Sequence, residues 1–186
     1  TYYRGLFAAE RLVGTRLQEA IWSRRAGGSR EDLLRTIEHP HRKYLLRELS
    51  KWGPFESVLE IGCNAGPNLL LLAEQFPQAR MSGIDINRHF IEAGEALMAE
   101  KGVTNVSLSV GAADDLSAFP SKSFDVTFTD ATLMYLGPDK IERTLTEIVR
   151  VTRKAVVLNE WHADHHGGQP SVWYYLHWVH DFPALF

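Results

Sequence analysis

Apolar residues follow two different spacings along the 186-residue chain, and the spacing changes near residue 56. Before that point they recur every three or four positions, which is typical of the apolar face of a helix. The first such stripe comprises Leu6, Ala9, Val13, Leu17 and Ile21. Pro40 favours the start of a later helix, which Gly53 and Pro54 end. We therefore predict that residues 1–55 form a helical N-terminal extension. It is either a lid over the functional site, to which Tyr2 and Tyr3 could contribute, or a cover for a sheet edge.

From residue 57 onward, short apolar runs alternate with helical spacing. The runs predict five strands, over residues 58–61, 81–84, 103–110, 124–128 and 155–158. Helices are predicted over residues 69–76, 90–101 and 141–151. Strands that alternate with helices indicate a parallel sheet with a helix layer on each face. The predicted class is α/β, with a doubly wound and mostly parallel sheet in a core of residues 56–186.

The charge balance and the cysteine count exclude several classes of protein. The chain has 20 Lys plus Arg and 23 Asp plus Glu, a formal net charge of −3, which argues against a duplex-DNA binder that works by charge alone. Its single cysteine, Cys63, excludes a disulfide framework and a four-thiolate zinc site. No apolar run approaches the ~20 residues that a membrane-spanning helix needs. We expect a cytoplasmic protein that binds neither nucleic acid nor membranes.

The loop after the first predicted strand is the first candidate site, because ligands of such sheets bind at the carboxyl ends of the strands. Gly62 and Gly66 allow a tight turn and a close approach of backbone to ligand. A dinucleotide fingerprint would need glycines at 62, 64 and 67, where this chain has Asn64 and Pro67. Glu60 would face a pyrophosphate unfavourably and suits a ligand with an ammonium group. The alternative is an ordinary strand-to-helix turn that needs two glycines.

The second predicted strand ends in another acid. Asp85 is followed by Ile86 and Asn87, and the next helix begins shortly afterwards. A carboxylate at this point can accept hydrogen bonds from both hydroxyls of a ribose. Either residue could instead cap the helix, a role that suits Asn87 better than Asp85.

Three segments in order resemble the class I S-adenosylmethionine-dependent methyltransferase family, over about residues 56–160. The segments are Val58-Leu59-Glu60-Ile61-Gly62-Cys63-Asn64-Ala65-Gly66, Gly83-Ile84-Asp85 and Ser123-Phe124-Asp125-Val126-Thr127-Phe128. The resemblance implies a Rossmann-like fold with S-adenosyl-L-methionine as cofactor. It implies that Glu60, Gly62, Cys63, Asn64 and Gly66 hold the methionine part of the cofactor. It also implies that Asp85, with Ile86 beside it, binds the ribose.

The chain departs from this family pattern after the third and fourth strands. Relatives often carry an acidic residue that binds the adenine amino group where this chain has Ala112. The contact between an acid and the adenine is therefore lost here or moves to Asp114. Asp114 could equally cap a short helix, while the backbone amide of Ala113 could still meet the adenine ring. The segment Asp130-Ala131-Thr132-Leu133 lacks the prolines of enzymes that methylate amino groups of DNA bases or glutamine. We expect Thr129 and Asp130 to line the cofactor near its methionine end.

Candidates for catalysis follow the fourth and fifth strands. Tyr135 either faces the substrate or is a core aromatic with a wet hydroxyl. Five of the eight histidines lie between His162 and His180, among tryptophans and tyrosines. They predict an aromatic wall for the acceptor, with His162 or His165 as general base. There are two alternatives. The first is a metal site formed by Asp130, Glu160 and a histidine, and the second is a plain surface loop; we predict no metal.

The chain end bears on how the sheet closes. Residues 172–186 predict one apolar, aromatic helix or two, with Pro183 at the start of the last. Members of the family normally end in an antiparallel hairpin, for which we expect no residues to remain. We therefore expect a core without its last strands.

The sequence thus predicts methyl transfer from S-adenosylmethionine to an oxygen, nitrogen or carbon of a small molecule. One alternative is a non-catalytic protein that binds S-adenosylmethionine or a nucleoside, which Ala112 keeps open. An NAD(P)-dependent oxidoreductase is disfavoured by Asn64 and Pro67.

Overall fold

The computed structural model describes residues 15–26, 36–162, 171–174 and 177–186. In chain order its elements are α1 (Arg16–Arg24), α2 (Pro40–Ser50), β1 (Ser57–Ile61), α3 (Pro67–Gln75), β2 (Arg80–Asp85), α4 (Arg88–Lys101), β3 (Val106–Val110), β4 (Phe124–Asp130), a 3-10 helix (Leu133–Tyr135), α5 (Ile141–Val151), β5 (Thr152–Asn159), β6 (Ser171–Tyr174), β7 (His177–His180) and α6 (Phe182–Leu185). The predicted roles of Tyr2, Tyr3 and His165 fall outside the described residues.

The main sheet has five strands in the order β3-β2-β1-β4-β5, and every pair in it is parallel. This confirms the predicted α/β class and the five strands, although β3 begins only at Val106. The strand order reverses between β1 and β4. In sheets of this kind the crevice at such a reversal is where ligands bind.

Local signals in the sequence set the two helices that follow β1 and β2. Gly66 adopts a left-handed conformation and Pro67 begins α3. Asn87 caps α4, its side chain accepting hydrogen bonds from the backbone of His89 and Phe90 at 2.9 and 3.4 Å. This is the capping role that the sequence suggested for Asn87. Both helices therefore start at the carboxyl edge of the sheet.

The core has one layer on each face of the sheet, as the alternation of side chains along β1 requires. Val58 points toward the layer formed with α2, α3 and α4, and Leu59 points toward the layer formed with α5. The first layer includes Leu45, Leu49, Leu69, Leu72, Met81 and Ile91. The second includes Phe124, Ile141, Leu145, Ile148 and Val151. By the same alternation Glu60 is on the side of α3.

The helix predicted over residues 172–186 is wrong for most of its length. β6 and β7 pair antiparallel, and only α6 is helical, with Pro183 in its first turn. Aromatic and β-branched residues dominate the two strands and favour an extended chain, a preference that outweighed the helical spacing. The hairpin is a two-stranded sheet of its own and does not extend the main sheet.

A buried histidine fixes this hairpin to the loop after β4. His180 Nε2 lies 3.1 Å from the carbonyl oxygen of Leu133, and its Nδ1 lies 2.8 Å from the hydroxyl of Ser171. A carbonyl only accepts, so Nε2 carries the proton and Nδ1 accepts from the serine. Burial lowers the pKa of His180, which suits this neutral form. The hairpin thus supports the 3-10 helix that follows β4.

Candidate functional site

A cavity of about 560 Å³ lies at the carboxyl ends of β1, β2 and β4 and is covered by α1 and α2. This volume is within the ~300–1,000 Å³ range of small-molecule and cofactor sites. Residues that line it include Trp22, Arg25, His41, Arg42, Glu60, Gly62, Cys63, Asn64, Asn68, Asp85, Ile86, Phe90, Gly111, Ala112, Ala113, Asp130, Thr132 and Tyr135. Most of the cofactor residues predicted from the sequence are among them. The cavity also includes side chains of α1 and α2 that sequence reasoning missed.

The loop between β1 and α3 depends on three left-handed residues. Gly62, Asn64 and Gly66 have φ angles of 73°, 53° and 74°. Asparagine is one of the few residues with a side chain that adopts this conformation readily, which explains Asn64 in place of a middle glycine. A Cβ on Gly62 would lie only 2.1 Å from Thr132 Oγ1, so the two loops touch there. Gly66 shapes the turn without lining the cavity.

Glu60 has an unsatisfied buried oxygen at the cavity. The residue is 1% exposed, and its Oε1 accepts a 2.7 Å hydrogen bond from Asn68. Its Oε2 has no hydrogen-bond partner among the described residues. Burial raises the pKa of Glu60 well above its usual value, and nearby Asp130 adds to the rise. A cationic ligand group would supply the missing partner and lower the energy of the charged form.

Asp85 is half-buried at the end of β2 and organises the backbone around it. Its two oxygens accept hydrogen bonds from the amides of Asn64 and Asn87, both at 2.8 Å. Burial raises the pKa of Asp85, and these two amides oppose the rise. Each carboxylate oxygen can accept a second hydrogen bond, so the group retains capacity for ligand hydroxyls.

The neighbouring part of the cavity is apolar and flat-sided. Ile86, Phe90 and Ala113 line it together with the backbone at Gly111. Asp114, a weaker candidate from the sequence, does not line the cavity. Its carboxylate lies 3.1 Å from the ammonium group of Lys140.

Asp130 is the centre of a hydrogen-bond network at the end of β4. Its Oδ1 accepts a 2.7 Å bond from Asn159, and its Oδ2 lies 3.1 Å from Asn68 Nδ2. His41 Nε2 is 3.0 Å from the same Oδ2. Thr129, predicted beside it, is buried within β4 and does not line the cavity.

Arg42 brings a buried positive charge to the acidic end of the cavity. Its side chain is 11% exposed, and Nη1 donates to Asn68 Oδ1 at 2.6 Å. Burial lowers the pKa of Arg42, and the carboxylates of Glu60 and Asp130 oppose that effect. Nothing in the local sequence distinguishes this arginine, because its role depends on how α2 packs against α3.

Helix α1 is fixed over the cavity at both of its ends. At its start, the Thr15 hydroxyl donates to Asp139 at 2.9 Å and accepts from the Gly137 amide at 2.8 Å. At its end, Asn87 Nδ2 donates to the carbonyls of Trp22 and Arg25 at 2.7 and 2.8 Å. Helix α1 thus lies over the cavity, and the lid role of the N-terminal helices stays a prediction.

The catalytic candidates are placed differently. Tyr135 lines the cavity, half-buried, with its ring 4.7 Å from that of Trp22. Burial raises the pKa of Tyr135. His162 does not line the cavity; its Nδ1 is 3.0 Å from the His180 carbonyl. His165 lies outside the described residues.

Two further groups have local roles. Cys63 is 1% exposed, and burial raises the pKa of its thiol well above the usual value, so it packs in the loop as a neutral thiol. The Glu160 carboxylate accepts from the amides of Thr132 and Met134 at 2.8 and 3.3 Å, at the start of the 3-10 helix.

Among the residues that the structure describes, no three metal-ligating side chains form a group that could hold an ion. No helix in this described part is long and apolar enough to cross a bilayer.

Comparison with known sequences identifies related proteins. A family model described as a methyltransferase domain matches residues 58–155, just over half of the chain. The chain is 37% identical over 87 residues to the aklanonic acid methyltransferase DauC of Streptomyces sp. strain C5, covering 46% of this chain and 39% of that protein. It is 31% identical over 120 residues to trans-aconitate 2-methyltransferase of Deinococcus radiodurans, covering 60% and 42% respectively. The chain thus spans about two fifths of the length of these relatives.

Solved structures share the fold. A SAM-dependent methyltransferase from Aquifex aeolicus superposes with a TM-score of 0.59 at 19% identity, covering 77% of this chain and 79% of that one. The YcgJ protein of Bacillus subtilis superposes with a TM-score of 0.54 at 27% identity, covering 62% and 47%. The family match includes β1, β2, β3, β4 and the start of β5, and so the strands that form the cavity. The chain therefore belongs to the class I S-adenosylmethionine-dependent methyltransferase family, and the family's cofactor is the one that its motifs predicted.

Proposed function

We propose that this protein transfers the methyl group of S-adenosylmethionine to a small-molecule acceptor. The observation that carries the proposal is Glu60 Oε2, which is buried at the cavity and has no hydrogen-bond partner among the described residues. An acid left unsatisfied inside a protein is destabilising, and the ammonium group of the cofactor's methionine part would satisfy it.

The rest of the cavity fits the remaining parts of the cofactor. Asp85 would accept hydrogen bonds from the ribose hydroxyls, and the apolar surface at Ile86 and Phe90 would pack against the adenine ring. Arg42, which the sequence did not suggest, is a suitable partner for the methionine carboxylate. When bound, S-adenosylmethionine supplies an electrophilic methyl group on its sulfonium.

The chain's own contribution is then to position the acceptor and exclude water. Trp22 and Tyr135 also line the cavity, and an acceptor beside the cofactor would contact them. Holding two reactants in line can supply a large share of a rate enhancement, up to ~7–11 kcal/mol of the barrier. Closure of α1 over both would keep water out of the reaction.

A small molecule is favoured as acceptor because the site is a cavity of about 560 Å³ and the chain has a net charge of −3. Relatives whose names state an acceptor include aklanonic acid and trans-aconitate methyltransferases. A structural neighbour, geranyl diphosphate C-methyltransferase of Streptomyces coelicolor, superposes with a TM-score of 0.60 at 19% identity. A cytoplasmic location remains a prediction.

The test is calorimetric titration with S-adenosylmethionine, S-adenosylhomocysteine and NAD(P), on the wild type and on Asp85→Asn. We expect binding of the first two ligands only, weakened in the variant by roughly 1–3 kcal/mol as ribose hydrogen bonds are lost. Asp115→Asn, an exposed acid outside the cavity, is the matched control and should bind as wild type does. Binding of NAD(P) in place of the methyl donor would overturn the proposal.

Transfer itself is measured with cofactor carrying a radioactive methyl group and a panel of small-molecule, nucleic-acid and protein acceptors. Labelled small molecules support the proposal. Tight cofactor binding without transfer to any acceptor would favour the non-catalytic binding protein instead.

A further inference from the structure

One part of the cavity, which we call the aromatic end, is lined by two aromatic rings and one arginine. Trp22 and Tyr135 line it, with ring centroids 4.7 Å apart and planes inclined by 59°. The Arg25 guanidinium lies over the Trp22 ring, 4.6 Å from its centroid. Arg25 and Tyr135 both line the cavity. Burial raises the pKa of Tyr135; the charge of Arg25 opposes that rise and the charge of Glu160 adds to it.

The aromatic surface continues outward from the cavity. His177 has its ring centroid 5.3 Å from that of Tyr135 and 5.2 Å from that of Trp161. Trp161 is 44% exposed, so the run of four rings begins inside the cavity and ends at the protein surface. Rings offer flat faces, on which conjugated molecules stack with favourable dispersion and quadrupole interactions.

Arg25 brings a positive charge to this end of the cavity. Glu19, the acid of α1 that also lines the cavity, pairs with Lys140. Among the described residues, no carboxylate pairs with Arg25. A guanidinium beside aromatic rings recognises planar anions well, because it forms paired hydrogen bonds with a carboxylate and stacks on a ring.

The backbone of this site is already held in place. Asn87 binds the carbonyls of both Trp22 and Arg25, which fixes the last turn of α1. A binding surface that is fixed before the ligand arrives loses less entropy on binding.

We propose, building on the function proposed above, that Trp22, Arg25 and Tyr135 form the acceptor site. Its ligand is a flat, conjugated molecule that carries an anionic group, with its ring against Trp22 and Tyr135 and its anion at Arg25. A longer conjugated acceptor extends along His177 toward Trp161.

The test measures binding of three probes by calorimetry to protein saturated with S-adenosylhomocysteine. Naphthoate is flat and anionic, naphthol has the same ring without the carboxylate, and cyclohexanecarboxylate has the anion without the flat ring. We expect naphthoate to bind most tightly. Equal affinities for the three probes, or no binding of naphthoate, would overturn the proposal.

Two variants separate the contributions of ring and charge. Arg25→Gln should weaken the binding of naphthoate roughly three- to tenfold and leave the binding of naphthol unchanged, because only naphthoate carries an anionic group. Trp22→Leu should weaken the binding of both naphthoate and naphthol roughly three- to tenfold, because both stack on the ring. The matched controls are Arg24→Gln, one residue away on α1, and Trp52→Leu, a tryptophan 49% exposed outside the cavity.

The controls should leave all affinities unchanged, and an effect of Arg24→Gln equal to that of Arg25→Gln would show a general charge effect and refute the site. Binding of S-adenosylhomocysteine is recorded for every variant. Its loss from the wild type would refute the proposed function, whereas its retention without selective naphthoate binding would refute the acceptor site alone.

Discussion

Replacing Glu60 by glutamine should stabilise the empty protein and weaken cofactor binding at the same time. Glutamine keeps the shape of the side chain and the hydrogen bond from Asn68 to Oε1. It removes the charge of the carboxylate and places a neutral amide NH2 at the position of Oε2, where neither group has a partner among the described residues. Leaving a buried polar group unsatisfied costs about 1–3 kcal/mol, and more for a charged group. We therefore expect the free energy of unfolding to rise by about 1–3 kcal/mol near pH 8.

The effect should depend on pH with a definite sign. Because the pKa of Glu60 is raised in the folded state, the folded protein binds more protons than the unfolded one above the ordinary value of 4.5. The free energy of unfolding of the wild type then falls as pH rises, by up to ~1.4 kcal/mol per pH unit. The difference between Glu60→Gln and wild type should be small below about pH 4.5 and grow above it.

The assay is urea denaturation at several pH values, with and without S-adenosylhomocysteine. A charged hydrogen bond is worth ~1.5–3 kcal/mol, so the variant should bind this ligand roughly 10- to 100-fold more weakly. Glu74→Gln, an exposed glutamate of α3, is the control and should change neither quantity. A variant that is less stable than wild type near pH 8, or that binds S-adenosylhomocysteine equally well, would refute this reasoning.

Substitutions at three other residues test the loop, the position of α1 and the support of the 3-10 helix. Gly62→Ala should lower the free energy of unfolding by roughly 2–4 kcal/mol, because residue 62 has a φ of 73° and the added Cβ would meet Thr132. Urea denaturation measures this free energy, and a loss below about 1 kcal/mol would contradict the prediction. Asn87→Ala should increase hydrogen exchange in both α1 and α4. Asn87→Asp should increase it in α1 alone, because aspartate keeps the oxygen that caps α4 and loses the amide group that donates to the carbonyl of Trp22. Equal effects of the two variants would contradict this prediction. Burial raises the pKa of Glu160 to about 7, so its ionisation costs stability as pH rises from about 4.5 to about 7. Glu160→Gln should flatten that part of the stability curve, and an unchanged slope would refute the assignment.

The cofactor end of the cavity could be predicted from the sequence because it depends on local signals. Glu60, Asp85 and Asp130 each come at or near the end of an apolar run, and parallel strands bring their carboxyl ends to one edge. The left-handed turns fall on glycine and asparagine, the residues that adopt them most readily. Nothing beyond the order of strands and turns is needed to bring these three acids together.

The residues of α1 and α2 could not be predicted in this way. His41 and Arg42 occupy an ordinary amphipathic helix, and only its packing against α3 brings them to Asn68 and Asp130. The helix predicted where β6 and β7 form the hairpin was wrong for a related reason. A short run of aromatic and β-branched residues fits a helix by its spacing and a strand by its propensity. In each case the deciding contacts join residues far apart in the chain.

This division has a consequence for how the site can change. The acids and turns of the cofactor end are built into the strands, so a substitution such as Gly62→Ala disturbs the loop, and with it the sheet, before it alters specificity. Trp22 lies on α1 and Arg25 directly follows it, and Asn87 holds both residues through their backbone carbonyls. Their side chains can therefore be replaced without losing those bonds. We therefore expect that substitutions of Trp22 and Arg25 change the ligand specificity of the proposed acceptor site while the proposed cofactor site is retained.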